Sequence, residues 1–149
     1  MIYDRTQKDI DNALAARHKI QIGEEISEDD ILALERGTFS VTSINRIETA
    51  QSNLHNAFIS SGYICQQITN KVWEENEEIF TIEDLNRIIQ NDDVLKRAFY
   101  PLSDTPKIPN AVYHFNSIND IEKILYDLDR NYQYMVSNWR ECGTFECGV

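Results

Sequence analysis

The side chains that most often bind metals or carry redox chemistry are few and poorly spaced in this sequence. None of the three histidines, His18, His55 and His114, has a cysteine or a second histidine at metal-ligand spacing. Cys142 and Cys147 stand five residues apart, whereas zinc and redox sites use C-x-x-C. Residues five apart on a strand point to opposite faces, which opposes shared ligation. We therefore expect neither a metal ion nor another cofactor, and an inter-chain disulfide is the alternative role for this pair.

One stretch begins like a calcium-binding loop, with Asp127, Asp129 and Asn131 at loop positions 1, 3 and 5. Position 6, which needs Gly for the turn, is Tyr132, and position 12 is Asn138 instead of a bidentate Glu. The same stretch lies inside the most regular helical pattern of the chain. The sequence therefore predicts a helix here and no calcium site.

Carboxylates are abundant, with 25 Asp and Glu residues, but no pair stands out as a general acid and general base. The acids of 74–78 are typical of a solvated surface. The sequence contains no motif of a nucleophile elbow, a phosphate-binding loop, a dinucleotide-binding loop or a zinc protease. We expect no catalytic residue and no enzymatic activity, and a small hydrolase built on two carboxylates is the least favoured alternative.

Composition and charge limit the class of partner. The 149 residues are 42% hydrophobic and carry a formal net charge of −11 without any Lys/Arg cluster, which opposes binding to nucleic acids or anionic membranes. No apolar run is long enough to span a bilayer, and the first residues lack the apolar core of a signal peptide. We therefore expect free thiols at the three cysteines, an odd number that also fits a closed disulfide framework poorly.

The helix boundaries are marked by capping residues. A hydroxyl residue followed three places later by Asp is an imperfect capping box, and it predicts four helix starts: Thr6–Asp9, Ser27–Asp30, Thr81–Asp84 and Ser117–Asp120. Thr42 or Ser43 is predicted to cap a fifth helix. Gly23, Gly37 and Gly62 stand where helices end with a left-handed residue. The predicted helices lie near 6–21, 27–36, 43–60, 81–99 and 117–139.

The last helix has the clearest apolar stripe, with helical spacing over Ile121, Ile124, Leu125, Leu128, Tyr132, Met135 and Trp139. The stripes of the helices are expected to pack on one another, and the alternative is that one stripe faces another chain. Short stretches near 63–72, 111–115 and 143–148 carry β-branched and aromatic residues typical of strands. We expect a mainly α fold (α+β) with about five amphipathic helices and this small β component. It forms a single helical domain over 1–149, in which 1–37 can be an N-terminal helical arm and 140–149 a C-terminal strand or tail.

Several segments in order along the chain resemble a family of small structural proteins. They are "IYDRTQKDIDNAL" at 2–14, "TSINRIETAQSNL" at 42–54, "GYICQQITNKVW" at 62–73, "FTIEDLNRIIQN" at 80–91, "DIEKILYDLD" at 120–129 and "CGTFECG" at 142–148. The family is encoded in the tail modules, in the baseplate and tail-fibre region, of phages and prophages of Gram-positive bacteria.

This resemblance implies a structural role in the baseplate, tail tip or fibre attachment of a virion or a phage-derived particle. The implied partners are other tail proteins and copies of the chain itself, and the implied location is the virion tail, assembled in the bacterial cytoplasm. Exposed aromatic residues are the candidate interface anchors, with core packing as the alternative: Tyr3, Tyr100, Tyr113, Tyr134 and Phe145. A free phage-encoded regulatory binding module is the alternative function.

Overall fold

The computed structural model describes residues 1–74, 80–112 and 114–142, without the side chains of 139–142. Within these ranges the chain is mainly helical, as predicted, and forms five helices. They are α1 (Gln7–Ile22), α2 (Glu28–Gly37), α3 (Val41–Ser60), α4 (Ile82–Ala98) and α5 (Phe115–Cys142).

Three of the predicted helix starts are confirmed. Thr6, Ser27 and Thr81 are N-caps of complete capping boxes, in which each hydroxyl accepts a hydrogen bond from the N–H of the Asp three residues later. The other two predictions are wrong. Ser40, and not Thr42 or Ser43, caps α3, because its side chain accepts from the N–H of Ser43. The fifth helix begins at Phe115, so that Ser117 lies within it, since the Ser117 N–H already donates to the His114 carbonyl at 3.0 Å.

The main hydrophobic core lies between α3, α4 and α5. Each of these helices buries a stripe of large apolar side chains against the other two, as helical spacing predicts. The aromatic rings of Phe58 and Phe99 stack at the α3–α4 side of this core, with centroids 4.9 Å apart. The core residues are Ile44, Ile47, Leu54 and Phe58 on α3, Ile88, Ile89 and Leu95 on α4, and Ile121, Ile124, Leu125 and Leu128 on α5.

The first two helices form a hairpin that packs largely on itself. Ala13 and Ala16 of α1 are buried, and Gly37 at the end of α2 lies so close to α1 that an added Cβ would be 2.2 Å from the Asp9 carbonyl oxygen. Gly37 therefore serves close packing and does not adopt the predicted left-handed conformation. Gly23, by contrast, ends α1 with φ of 77°, as predicted.

The predicted β component is not found among the described residues. Residues 63–72 form neither helix nor strand, and the described part of 111–115 contains only irregular chain and the first residue of α5. The stretch 143–148 lies outside the described residues. Side chains of α3 and α4, and not a neighbouring strand, bind the backbone of this segment.

Asn45 binds the backbone of this segment as a neighbouring strand would. Its amide donates to the Trp73 carbonyl at 2.8 Å and accepts from the Trp73 N–H at 2.9 Å. Asn91 bonds the N–H and C=O of Thr69 at 3.4 and 2.9 Å in the same way. Helix side chains thus bind part of the main chain of residues 63–74, which we call the bound segment.

Candidate interaction surfaces

A buried ion-pair cluster attaches the hairpin to the helical core. Glu122 of α5 is fully buried, and its two carboxylate oxygens accept from Arg5 at 2.5 Å and from Arg46 at 2.6 Å. Arg5 precedes α1, while Arg46 lies on α3. One carboxylate therefore joins the N-terminal hairpin to two helices of the core, in a low-dielectric position where charge pairing is strong.

Further hydrogen bonds fix the position of Arg5. Its Nε donates to the Arg36 carbonyl of α2 at 2.9 Å, and its backbone exchanges two hydrogen bonds with the Asn119 side chain, at 3.2 and 2.9 Å. Both ends of the hairpin thus meet at Arg5. The hairpin is consequently held at its open end, while its closed end, around Gly23, extends from this junction.

Ion pairs between α1 and α2 hold the hairpin closed. Arg36 Nε donates to Asp9 at 2.8 Å near the open end, and Lys19 donates to both Asp30 oxygens at 2.8 Å near the closed end. The Lys19 ammonium, with the N–H and hydroxyl of Ser27, lowers the pKa of Asp30 to about 2. The carboxylate that caps α2 is therefore also the one that binds α1.

The hairpin exposes many large aliphatic side chains. Those at its closed end are Ile20, Ile22 and Ile26, with exposed fractions of 50, 55 and 39%. We call residues 20–29 the hairpin tip. Leu14, Ile31 and Leu32 are also exposed on the two helices. Aliphatic residues exposed singly are normal, whereas this concentration on one short hairpin is typical of an interaction surface.

A second candidate surface lies on the C-terminal half of α5. An open groove of about 810 Å³ is lined there by Leu102, Asp104, Arg130, Asn131, Gln133, Tyr134 and Ser137. Asn131 donates to the Tyr100 carbonyl at 2.7 Å, which places the 99–104 loop beside the helix. We call this surface the α5 groove. Tyr and Arg are residues enriched at binding hot spots.

The structure separates the predicted aromatic anchors from one another. Tyr134, which is 68% exposed, lines the α5 groove, whereas Tyr100 is 85% exposed and contacts the groove residue Asn131 through its carbonyl. Tyr3 is half-buried, because its ring packs on that of Tyr126 with centroids 4.9 Å apart. Tyr113 and Phe145 lie outside the described residues. The hairpin aliphatics were not among the predicted anchors, although their signal, apolar residues off the buried stripe, was present in the sequence.

Glu48 is the centre of a polar cluster that sequence analysis did not predict. Both oxygens of this buried carboxylate accept from Arg87 at 2.8 Å, and Oε1 also accepts from the Trp73 indole at 3.0 Å. Burial alone would raise the pKa of Glu48, but the bonds from Arg87, Trp73 and the Lys71 N–H lower it below its ordinary value. Glu48 thus binds the bound segment and is held ionised.

A neighbouring cluster contains a carboxyl group without a countercharge in contact. Gln51 of α3 donates to Asp92 of α4 at 2.8 Å and to the Ile88 carbonyl at 2.9 Å, while Asn91 donates to Gln51 at 3.1 Å. Burial raises the pKa of Asp92 to about 8, and its Oδ2 has no partner in the described part of the chain. Asp92 is therefore largely protonated at neutral pH.

The buried carboxylates at 48, 122 and 127 are each held by a cation. Asp127 accepts from Lys123 at 2.5 and 2.6 Å and from Thr105 at 3.0 Å. Such pairing holds a carboxylate in place. In these positions the acids join structural elements: α3 to the bound segment, α5 to the hairpin, and α5 to the loop that follows α4.

Cys65 of the bound segment is a free thiol, as predicted, and burial raises its pKa. The side chains of Cys142 and Cys147 lie outside the described residues. Among the side chains that the structure describes, no group of three or more His, Cys, Asp or Glu is arranged to hold a metal ion. None of the described helices is both long and apolar enough to cross a membrane.

Comparison with known proteins yields no relative from which a role could be transferred. No family model, curated protein or solved structure matches this chain.

Proposed function

We propose that this chain is a structural adaptor of a phage or phage-derived tail apparatus, acting in the baseplate, tail tip or fibre attachment through protein–protein contacts. The observation that carries the proposal is the exposed aliphatic surface of the α1–α2 hairpin. The ordered resemblance of six segments to tail-module proteins supplies the setting. The partners are other tail proteins and copies of this chain, and the location is the virion tail.

Energetics favour a binding role for the hairpin. Burying apolar surface stabilises a complex by roughly 25 cal/mol per Å² before the entropy of association is subtracted. A chain that keeps Leu14, Ile22 and Leu32 in water forgoes this stabilisation in the monomer. The same side chains would be stabilised by burial when a partner docks, as is typical of a subunit of an assembly.

An adaptor needs two attachment surfaces in a fixed relation, and this chain offers a second one. The α5 groove, at Tyr134, is twelve residues further along α5 than Glu122, a rise of about 18 Å. The hairpin is attached at Glu122 itself. One continuous helix therefore connects the hairpin to the groove, so a neighbour bound at each would be held at a set distance.

Photo-cross-linking in assembled particles tests the proposal. A photoreactive residue at Ile22 and another at Tyr134 should each form a cross-link to a tail protein, identified by mass spectrometry of purified particles. The matched control is position 64, where Ile64 is highly exposed but belongs to neither surface, and it should give no specific product.

Two outcomes would contradict the proposal. The chain would not be a tail component if it were absent from intact particles but present, free, in the infected or induced cell. That result would favour the regulatory binding module. Equal cross-linking from all three positions would mean that neither surface is an attachment site.

A further inference from the structure

The hairpin tip has a defined shape. Gly23 in the left-handed conformation ends α1, with its N–H donating to the Ile20 carbonyl at 3.2 Å, and the Glu24 N–H donates to the Lys19 carbonyl at 2.9 Å. The capping box of Ser27 and Asp30 then starts α2 only four residues later. Ile20 and Ile22 therefore lie in the last turn of α1, and Ile26 lies in the short hydrogen-bonded connection to α2.

All four charged residues of the hairpin tip are acidic, while the exposed Arg17 lies one turn of α1 before Ile20. Residues 20–29 contain four acids, Glu24, Glu25, Glu28 and Asp29, all exposed, and no Lys or Arg. The nearest cation preceding the tip, Lys19, has its ammonium bound to both oxygens of Asp30. The carboxyl end of the α1 dipole adds further negative potential near Ile22. Three exposed isoleucines and four exposed carboxylates thus lie within one ten-residue segment.

The negative charge of the hairpin tip favours one kind of binding partner over another. A second copy of the chain would bring four carboxylates against four others, within a molecule whose net charge is already −11, and like charges across an interface oppose association. A segment with apolar side chains flanked by Lys or Arg would cover the isoleucines and pair with the tip carboxylates. Such a segment is typically an amphipathic helix, which places its apolar face on a groove or ridge and its cations beside it.

We infer that the hairpin tip binds a basic amphipathic helix of a different protein, with the apolar face of that helix on Ile20, Ile22 and Ile26 and its cations against the four tip carboxylates. This inference rests on the proposed function, because it names the partner of the hairpin surface. The steering by charge makes the complex salt-sensitive, since exposed pairs are screened within about 10 Å at 0.1 M salt.

Fluorescence anisotropy with designed probes tests the inference. Three labelled peptides of about 18 residues share one Leu face, and the opposite face carries Lys, Gln or Glu. The wild-type chain should bind the Leu/Lys peptide at least about tenfold more tightly than the Leu/Gln peptide, and the Leu/Glu peptide least of the three. The affinity for the Leu/Lys peptide should fall as salt is added.

Matched variants separate the tip from the general acidity of the chain. The tip variant combines Ile22→Ser with Glu25→Lys. The control combines Ile82→Ser with Glu83→Lys, which makes the same changes at an exposed Ile and an exposed acid on α4. The tip variant should lose at least about tenfold in affinity for the Leu/Lys peptide, whereas the control should keep the wild-type value within about twofold.

Three results would overturn the inference: equal affinities for the Lys and Gln peptides, equal losses in the tip and control variants, or a wild-type dimer in sedimentation that the tip variant dissociates. The last result would make a second copy the occupant. If the chain cross-links in particles but its peptide affinity does not depend on peptide charge, this inference alone is contradicted. Charge-selective binding by a chain that is absent from particles contradicts only the proposed function.

Discussion

Arg5 and Glu122 form a buried ion pair across 117 positions of the sequence, with Nη1 and Oε2 2.5 Å apart. Arg46 binds the other oxygen, so one carboxylate pairs with two guanidinium groups at the junction of the hairpin and the core. The substitution Glu122→Gln keeps the shape but leaves these cations without a counterion. We expect it to lower the free energy of unfolding by about 3–5 kcal/mol, as when one partner of a buried pair is removed.

The measurement for Glu122→Gln is denaturation by urea, with Asp93→Asn as the control. Asp93 pairs with Arg97 at 2.7 Å on the surface, where ion pairs contribute at most about 1 kcal/mol. Similar losses of unfolding free energy in the two variants would show that the Glu122 cluster stabilises the chain no more than a surface ion pair does.

The close approach of Gly37 to α1 gives a prediction about the hairpin. In Gly37→Ala the new Cβ would meet the Asp9 carbonyl and Ala13, and overpacking of this kind typically costs about 1–3 kcal/mol. Hydrogen exchange of the α1 and α2 amides should accelerate accordingly. Gly37→Asn should be worse, because the side chain is larger.

Gly23 is the matched control for Gly37, since Gly23 is required for its left-handed backbone and Gly37 for close packing against α1. Its φ is 77° and no atom lies within 4 Å of an added Cβ, so Gly23→Asn, which tolerates the left-handed region, should be milder than Gly23→Ala. The opposite ranking, Ala milder than Asn, is expected at Gly37. The same ranking at both glycines would contradict these assignments.

Asp92 predicts a pH dependence of stability. Its pKa is about 8 in the folded chain and near 4 in the unfolded one, so unfolding releases a proton between about pH 4 and 8. Its contribution is fully present below about pH 4 and declines as the pH rises to about 8. Asp92→Asn removes this titration.

The test for Asp92 compares the free energies of unfolding of wild type and Asp92→Asn at about pH 5 and about pH 8. The decline between the two pH values should be at least about 1 kcal/mol larger in the wild type, and the other titrating groups cancel in this comparison. Parallel profiles would mean that Asp92 titrates alike in the folded and unfolded states.

Thr81 and Ser117 allow a paired test, because both begin the same hydroxyl-x-x-Asp pattern. Thr81 accepts from the Asp84 N–H at the start of α4, so Thr81→Ala should cost about 1 kcal/mol. Ser117 has the same sequence pattern but lies within α5, and Ser117→Ala should change thermal stability little. An equal loss at Ser117 would indicate that it caps the helix after all.

Local patterns predicted the helices well because their causes are local. Hydroxyl caps and a 3.6-residue stripe act within a few residues, and Thr6, Ser27 and Thr81 were placed correctly on that basis. The segment 63–72 has the alternation typical of a strand, but alternation shows only which side chains are buried. It does not show whether the backbone binds a neighbouring strand or helix side chains.

The buried polar residues of α3 and α4 have a signal in the sequence. Along α3 the core positions 44, 47, 51, 54 and 58 follow one helical stripe, and the third of them is Gln51. On α4, Asp92 lies between the buried Ile88 and Leu95. A polar residue on a buried stripe needs a buried partner, and these two bind each other across the helices. Their pairing could not be predicted, since it depends on how the helices align.

Because helix side chains hold the bound segment by its main chain, the chemistry of its own outward side chains matters little to its path. Ile64 and Val72 project into water and can diverge freely, whereas the side chains of Asn45, Glu48 and Asn91 bind the main chain of the bound segment and fix its path. Relatives of this chain are therefore best sought through those helix positions, and a search that aligns the connecting segment itself would pass over them.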